Sequence, residues 1–108
     1  MMRNMAGMMK KVQEMKARME ELQEEMEQAH FSASVGGNAV SVTVNGKGFV
    51  QSVSIDPAGV SADEIDVLED MVRLATNNAK LNAEAEMASR MKDITGGLPL
   101  PPGMSLPF

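Results

Sequence analysis

The chain has 108 residues, enough for one domain with a modest core. It holds 10 basic and 15 acidic side chains, a formal net charge of −5 and a pI near 4.8, with one histidine and no cysteine. The missing cysteines exclude a disulfide scaffold, thiolate metal sites and a cysteine nucleophile, and the acidic balance argues against a generic polyanion-coating surface. No apolar run approaches the ~18 to 20 residues that span a bilayer, and the first residues lack the continuous apolar stretch of a signal peptide.

From Met5 to Ala29 the apolar residues fall at Met5, Met8, Val12, Met15, Met19, Leu22, Met26 and Ala29, a three-four spacing without a miss. That is a coiled-coil seam on a helix of about 38 Å. A helix this long on so small a chain needs a helical partner in its own chain or in a second copy. Its charges are segregated. Residues 1–18 carry Arg3, Lys10, Lys11, Lys16 and Arg18 against Glu14, a net of +4, whereas residues 19–29 carry five glutamates, a net of −5. The helix dipole prefers the reverse order, so the polarity does not serve the isolated helix. A parallel self-pair would set Lys11 against Lys16. An antiparallel one would set Lys11 against Glu25 but Arg18 against Arg18. The other explanation is a basic tip held out for an anionic partner.

From Phe31 to Ile55 the period drops to two. Phe31, Ala33 and Val35 are followed by Val40, Val42 and Val44, and Val53 and Ile55 close a third run that starts near Phe49. Gly36-Gly37-Asn38 and Asn45-Gly46-Lys47-Gly48 separate the runs as hairpin signals. The spacing predicts a three-stranded antiparallel meander with one apolar and one polar face. Asp56-Pro57 ends the third strand. Ser61 and Glu64 match a capping box, with Val60 and Ile65 as a hydrophobic staple. A second helix then runs through Ile65, Leu68, Val72, Ala75 and Ala79 towards Met91 and stops at Gly96-Gly97. The remaining stretch, 96–108, has 7 Pro or Gly in 13 residues and reads as extended and polyproline-like, yet it carries Leu98, Leu100, Met104, Leu106 and Phe108.

Nothing in this order suggests catalysis. The lone His30 sits at the helix-to-strand junction without the setting of a triad base. The Glu20-Glu21 and Glu24-Glu25 pairs point about 100° apart and read as a solvated charge run. The glycines of the second hairpin lack the strand-loop-helix context of a phosphate cradle. Methionine thioethers bind soft metals, but five of the eight methionines before residue 27 lie on the seam, so packing explains them. No metal, cofactor or small-molecule substrate is expected.

Three stretches together resemble the YbaB/EbfC family of bacterial nucleoid-associated proteins. They are the Met-, Lys- and Gln-rich helix Met5 to Gln28; the run Val40-Ser-Val-Thr-Val-Asn-Gly46, Val53-Ser-Ile-Asp-Pro57, Val67-Leu-Glu-Asp-Met-Val72 and Asn77-Asn78-Ala79; and the ending Leu100-Pro-Pro-Gly103 and Leu106-Pro-Phe108. The resemblance implies an α+β fold and a tweezer-like homodimer. It also implies a non-enzymatic protein of the bacterial cytoplasm and nucleoid that binds double-stranded DNA, organising the nucleoid or modulating transcription. On this reading residues 1–95 form one α-β-β-β-α domain and 96–108 a Pro/Gly-rich apolar tail. Arg3, Lys10, Lys11, Lys16 and Arg18, joined by Arg90 and Lys92, are the expected DNA contacts. Met15, Met19, Leu22, Val40, Val42, Val44, Ile55, Leu68 and Val72 are the expected packing and dimerisation residues. No stacking aromatic or base-reading helix is evident, so low or modest sequence specificity is expected. The competing reading is a protein-interaction module whose Met seam and apolar tail bind a partner, with weak or no DNA binding.

Overall fold

A computed structural model describes residues 2–95, with side chains from residue 6 onward. The tail, 96–108, and the side chain of Arg3 lie outside the described residues. The order is α1 (Met2–Gln28), β1 (His30–Val35), β2 (Val40–Asn45), β3 (Val50–Ile55), a short 3-10 turn (Pro57–Gly59) and α2 (Ile65–Thr95). The strands form one antiparallel sheet in the order β1-β2-β3.

The alternation of the strands decides what each face does. Val40, Val42 and Val44 point inward and are fully buried. Each contributes roughly 1.5–3 kcal/mol of burial. In register with them lie Val44 against Phe31, Val42 against Ala33 and Val40 against Val35. Above this surface α2 lays Ala75, Ala79 and Ala83, all buried. Alanines four apart form a small-residue stripe that lets the helix axis come close to the valines. Leu68, Met71 and Val72 flank the stripe and pack against the same cluster. The opposite face is a hydroxyl surface: Ser32 bonds Thr43 at 2.7 Å and Ser34 bonds Ser41 at 2.7 Å, with Ser52 and Ser54 in the same rows on β3.

Three sequence expectations shift by local detail. The third strand begins at Val50, and Phe49 stands outside it, 69% exposed. Strict alternation would put Val50 and Val53 on opposite faces. The register slips between Thr43 and Val44, so that Thr43 faces Ser52 and Val44 faces Val50, leaving Gln51 as the extra residue of a bulge. The bulge returns Val50 to the apolar face. The capping box is displaced as well. Ser61 Oγ accepts from the Asp63 N–H at 3.4 Å and the Ser61 carbonyl accepts from the Glu64 N–H, closing a turn ahead of the helix. The first helical bond runs from the Leu68 N–H to the Glu64 carbonyl at 3.1 Å, so Glu64 occupies the N-cap place assigned to Ser61. The first helix, finally, begins before Met5.

α2 covers β1 and β2 but not β3. Every residue of β3 is exposed, including the inward-facing Val50 (47%), Val53 (47%) and Ile55 (43%). On the side of α2 turned away from its alanines, Val67, Leu74 and Leu81 are exposed too. They are seven residues apart and so share a face.

Candidate nucleic-acid interface

The basic residues depend on how α1 is mounted. Its C-terminal end is tied to the second hairpin at Gly46, whose N–H donates to the Met26 carbonyl at 2.6 Å; the Ala29 N–H reaches the same oxygen at 3.3 Å. These bonds satisfy a carbonyl that the helix end would otherwise leave without a partner. A Cβ on Gly46 would stand 2.5 Å from that oxygen and 2.8 Å from the Met26 Cα, so only glycine lets the hairpin meet the helix this closely. Asn45, buried to 7% exposure, holds the hairpin through its Oδ1, which accepts from the Lys47 and Phe49 N–H groups at 3.0 Å each. The sequence marked Gly46 as a hairpin residue. Its service as the seat of α1 depends on a contact with a distant element that no local pattern signals.

From this seat α1 runs beside the distal part of α2. Met19, Leu22 and Met26 are buried, and Leu22 shares a groove with Ile94. Arg90 spans the two helices: its Nε lies 2.9 Å from Glu86 and its Nη1 3.5 Å from Glu25. Beyond this section the seam has no partner among the described residues. Met15 is half-buried, and residues 6–14 are exposed throughout, with Met8 at 66% and Val12 at 61%. The molecule measures 72 × 26 × 18 Å.

The candidate cations therefore fall into different settings. Lys10, Lys11 and Lys16 are exposed on the projecting half of α1. Lys11 and Arg18, seven apart, share one flank of the seam, Lys16 lies on the other and Lys10 on the back. Arg18 is exposed but borders the groove that holds Glu21, Glu25, Arg90 and Asp93. Arg90 is engaged by two carboxylates, whereas Lys92 is exposed in the last turn of α2. The glutamates of residues 19–29 remain near the body. Positive charge is thus separated from the acidic body along the molecule, which a net charge of −5 conceals. Lys47 and Lys80 were not among the sequence candidates; the fold brings them into one recess beside Glu84.

Of the expected packing residues, Met19, Leu22, Val40, Val42 and Val44 are buried within the single chain, Leu68 and Val72 pack against its core, Met15 is half-buried and Ile55 is exposed. Among the described residues no cluster of His, Cys, Asp or Glu is arranged to hold a metal, and no helix is long and apolar enough to cross a membrane.

A helix, a three-stranded meander and a second helix, with a charged helical projection, define a small α+β protein whose exposed chemistry lies on that projection. The chain belongs to the YbaB/EbfC DNA-binding family, whose model matches residues 1–98. It is 46% identical over 107 residues to a nucleoid-associated protein of Brucella ovis, covering 99% of this chain and all of that one. A nucleoid-associated protein of Brucella melitensis biotype 2 is 45% identical over the same length. The crystal structure of an uncharacterized protein from Helicobacter pylori superposes with a TM-score of 0.69 at 21% identity, covering 79% of this chain and 89% of that one.

Proposed function

We propose that this protein is a nucleoid-associated protein that binds double-stranded DNA as a homodimer, with low or modest sequence specificity, and so organises the nucleoid or modulates transcription. The observation that carries the reading is the separation of charge on α1: in a member of a DNA-binding family, Lys10, Lys11 and Lys16 stand exposed on a helix half that packs on no other element among the described residues. Cations on a projecting helix contact phosphates, which fixes position without reading bases. Arg18 and Lys92 extend the surface, and Arg3 belongs to the same segment. Arg90, held by Glu25 and Glu86, contributes least.

The homodimer is supported by two apolar surfaces left open in the single chain. One is the inner face of β3, with Val50, Val53 and Ile55; the other is the far side of α2, with Val67, Leu74 and Leu81. A twofold copy lays each on the other, so that both α2 helices are sandwiched between the two sheets and the hydroxyl faces stay outside in water. The dimer doubles the basic projections.

A fluorescence-polarisation titration on random-sequence duplex tests both parts. Replacing Lys10, Lys11, Lys16 and Arg18 by Glu is expected to abolish binding while sedimentation still reports the dimer. Unchanged affinity in that variant would overturn the assignment of the interface. Leu74→Glu, which buries a charge twice across a twofold interface, is expected to yield monomers; a dimer of undiminished stability would place the interface elsewhere.

A further inference from the structure

The projecting half of α1 carries an apolar stripe as well as cations. Met8, Met9, Val12 and Gln13 frame a shallow recess there, and Met8, Met9 and Val12 are each more than 60% exposed. Successive helix residues turn by about 100°. Met8, Val12 and Met15 therefore fall within about 60° of one another. Lys16 stands about 70° from the centre of this stripe on one side and Lys11 about 70° from it on the other. Arg18 lies just beyond Lys11, and Met9 just beyond Lys16. Glu14, the only carboxylate before Glu20, is turned about 130° away, towards the back that holds Lys10. Lys10, Lys11 and Lys16 enter no ion pair among the described residues.

Phosphate contact accounts for the cations and leaves the stripe unexplained, because a duplex backbone offers nothing to exposed apolar side chains. The pattern asks for an occupant that is anionic at its surface and apolar just beneath it. A protein partner of ordinary size needs about 20–30 residues on each side, whereas the open stripe offers Met8, Met9, Val12, Gln13 and the half-buried Met15. The helix is also a lone convex rod here, with no second described element beside it to form a groove. A second copy of the stripe would bring Lys11 and Lys16 against cations of their own kind. An anionic lipid surface fits. A basic amphipathic helix lies in the plane of a bilayer with its apolar face about 5–10 Å deep, at the boundary of headgroups and acyl chains. Flanking lysines keep their ammonium groups among the lipid phosphates while their stems follow the apolar side chains down. Lying on a membrane differs from crossing one, for which no helix among the described residues is long and apolar enough.

We propose that the N-terminal half of α1 docks on anionic lipid, with Met8 and Val12 inserted, Met9 at the margin, and Lys11 and Lys16 on the headgroup phosphates. The stripe is short, so the attachment is reversible and depends on surface charge. The docking rests on α1 alone and does not depend on DNA binding. Where Lys11 and Lys16 also hold a duplex, one tip takes lipid or DNA but not both at once.

Co-sedimentation of the full-length chain with lipid vesicles is the test. The probes are vesicles of pure phosphatidylcholine and vesicles with about one-third phosphatidylglycerol. At about 50 mM salt, binding to the anionic vesicles should be at least about tenfold tighter than to the neutral ones. Met8→Ser with Met9→Ser and Val12→Ser should weaken it by at least about tenfold, with duplex DNA affinity unchanged. Lys11→Gln with Lys16→Gln should weaken it by roughly 25-fold, about fivefold for each cation. These side chains are exposed, so circular dichroism should show both variants as helical as the wild type. Absence of binding to the anionic vesicles would overturn the proposal. So would full retention of binding by the serine variant, since charge alone would then hold the protein. Wild-type species larger than a dimer that the serine variant abolishes, without vesicle binding, would give the stripe to a second copy and overturn it as well.

Discussion

Met26 and Met8 occupy the same seam of the same helix, yet Met26 is 1% exposed and Met8 is 66% exposed. Near Met26 the helix meets α2 and the Gly46 hairpin, and its charged side chains are exposed and acidic, with Glu25 reaching Arg90. Near Met8 it meets no other element among the described residues, and its charges are basic. One periodic pattern thus serves two purposes. The C-terminal half of α1 fixes the direction of the helix, and the N-terminal half presents charge where that direction takes it. The mounting is a matter of packing energy and the presented surface a matter of Coulomb interaction, so substitutions in the two halves should fail differently.

The largest separation is expected between the two methionines themselves. Met26→Ala should lower unfolding stability by about 2–5 kcal/mol, because it empties a fully enclosed site. Met8→Ala should change stability by no more than about 0.5 kcal/mol. Chemical denaturation of the dimer at fixed concentration checks both, and equal losses would erase the distinction between the halves. Next comes the seat. Gly46→Ala forces a Cβ against the Met26 carbonyl and should cost roughly 1–3 kcal/mol. The altered direction of α1 is expected to appear as a changed distance between labels on α1 and α2. A variant with wild-type stability and distance would show that the hairpin does not hold the helix. The smallest effect belongs to Arg90. Its ion pairs are partly exposed, so Arg90→Gln should cost at most about 1 kcal/mol and leave DNA affinity almost unchanged. A loss of affinity as large as that from a lysine of the projection would bring Arg90 itself into the interface.

How far the sequence foretold this varies by element. The meander was legible because Val40, Val42 and Val44 alternate cleanly with Ser and Thr. The bulge at Gln51 was not, since Val50, Val53 and Ile55 fit one face only once the register slips, and nothing local announces where a slip occurs. The Ser61–Glu64 motif misled because the same side-chain geometry closes a turn as readily as it caps a helix. The seam was visible in full, but a three-four pattern states only that a partner is needed. It does not say that α2 supplies one for Met19 to Met26 and not for Met8 to Val12. For the candidate site, the clustering of Lys10, Lys11 and Lys16 could be read directly. The engagement of Arg90 by Glu25 could not, because 65 positions separate them in the chain.

The most direct measurement is the salt dependence of duplex binding, from about 50 to 200 mM, for the wild-type dimer and for the Lys10→Gln, Lys11→Gln, Lys16→Gln triple variant. If the projecting half of α1 tracks phosphates, wild-type affinity falls steeply with salt. The triple variant then shows a shallower logarithmic slope, by about 0.9 for each phosphate contact removed. Binding that is insensitive to salt, or a triple variant with the wild-type slope, would contradict the assignment of the DNA contacts to this half of the helix.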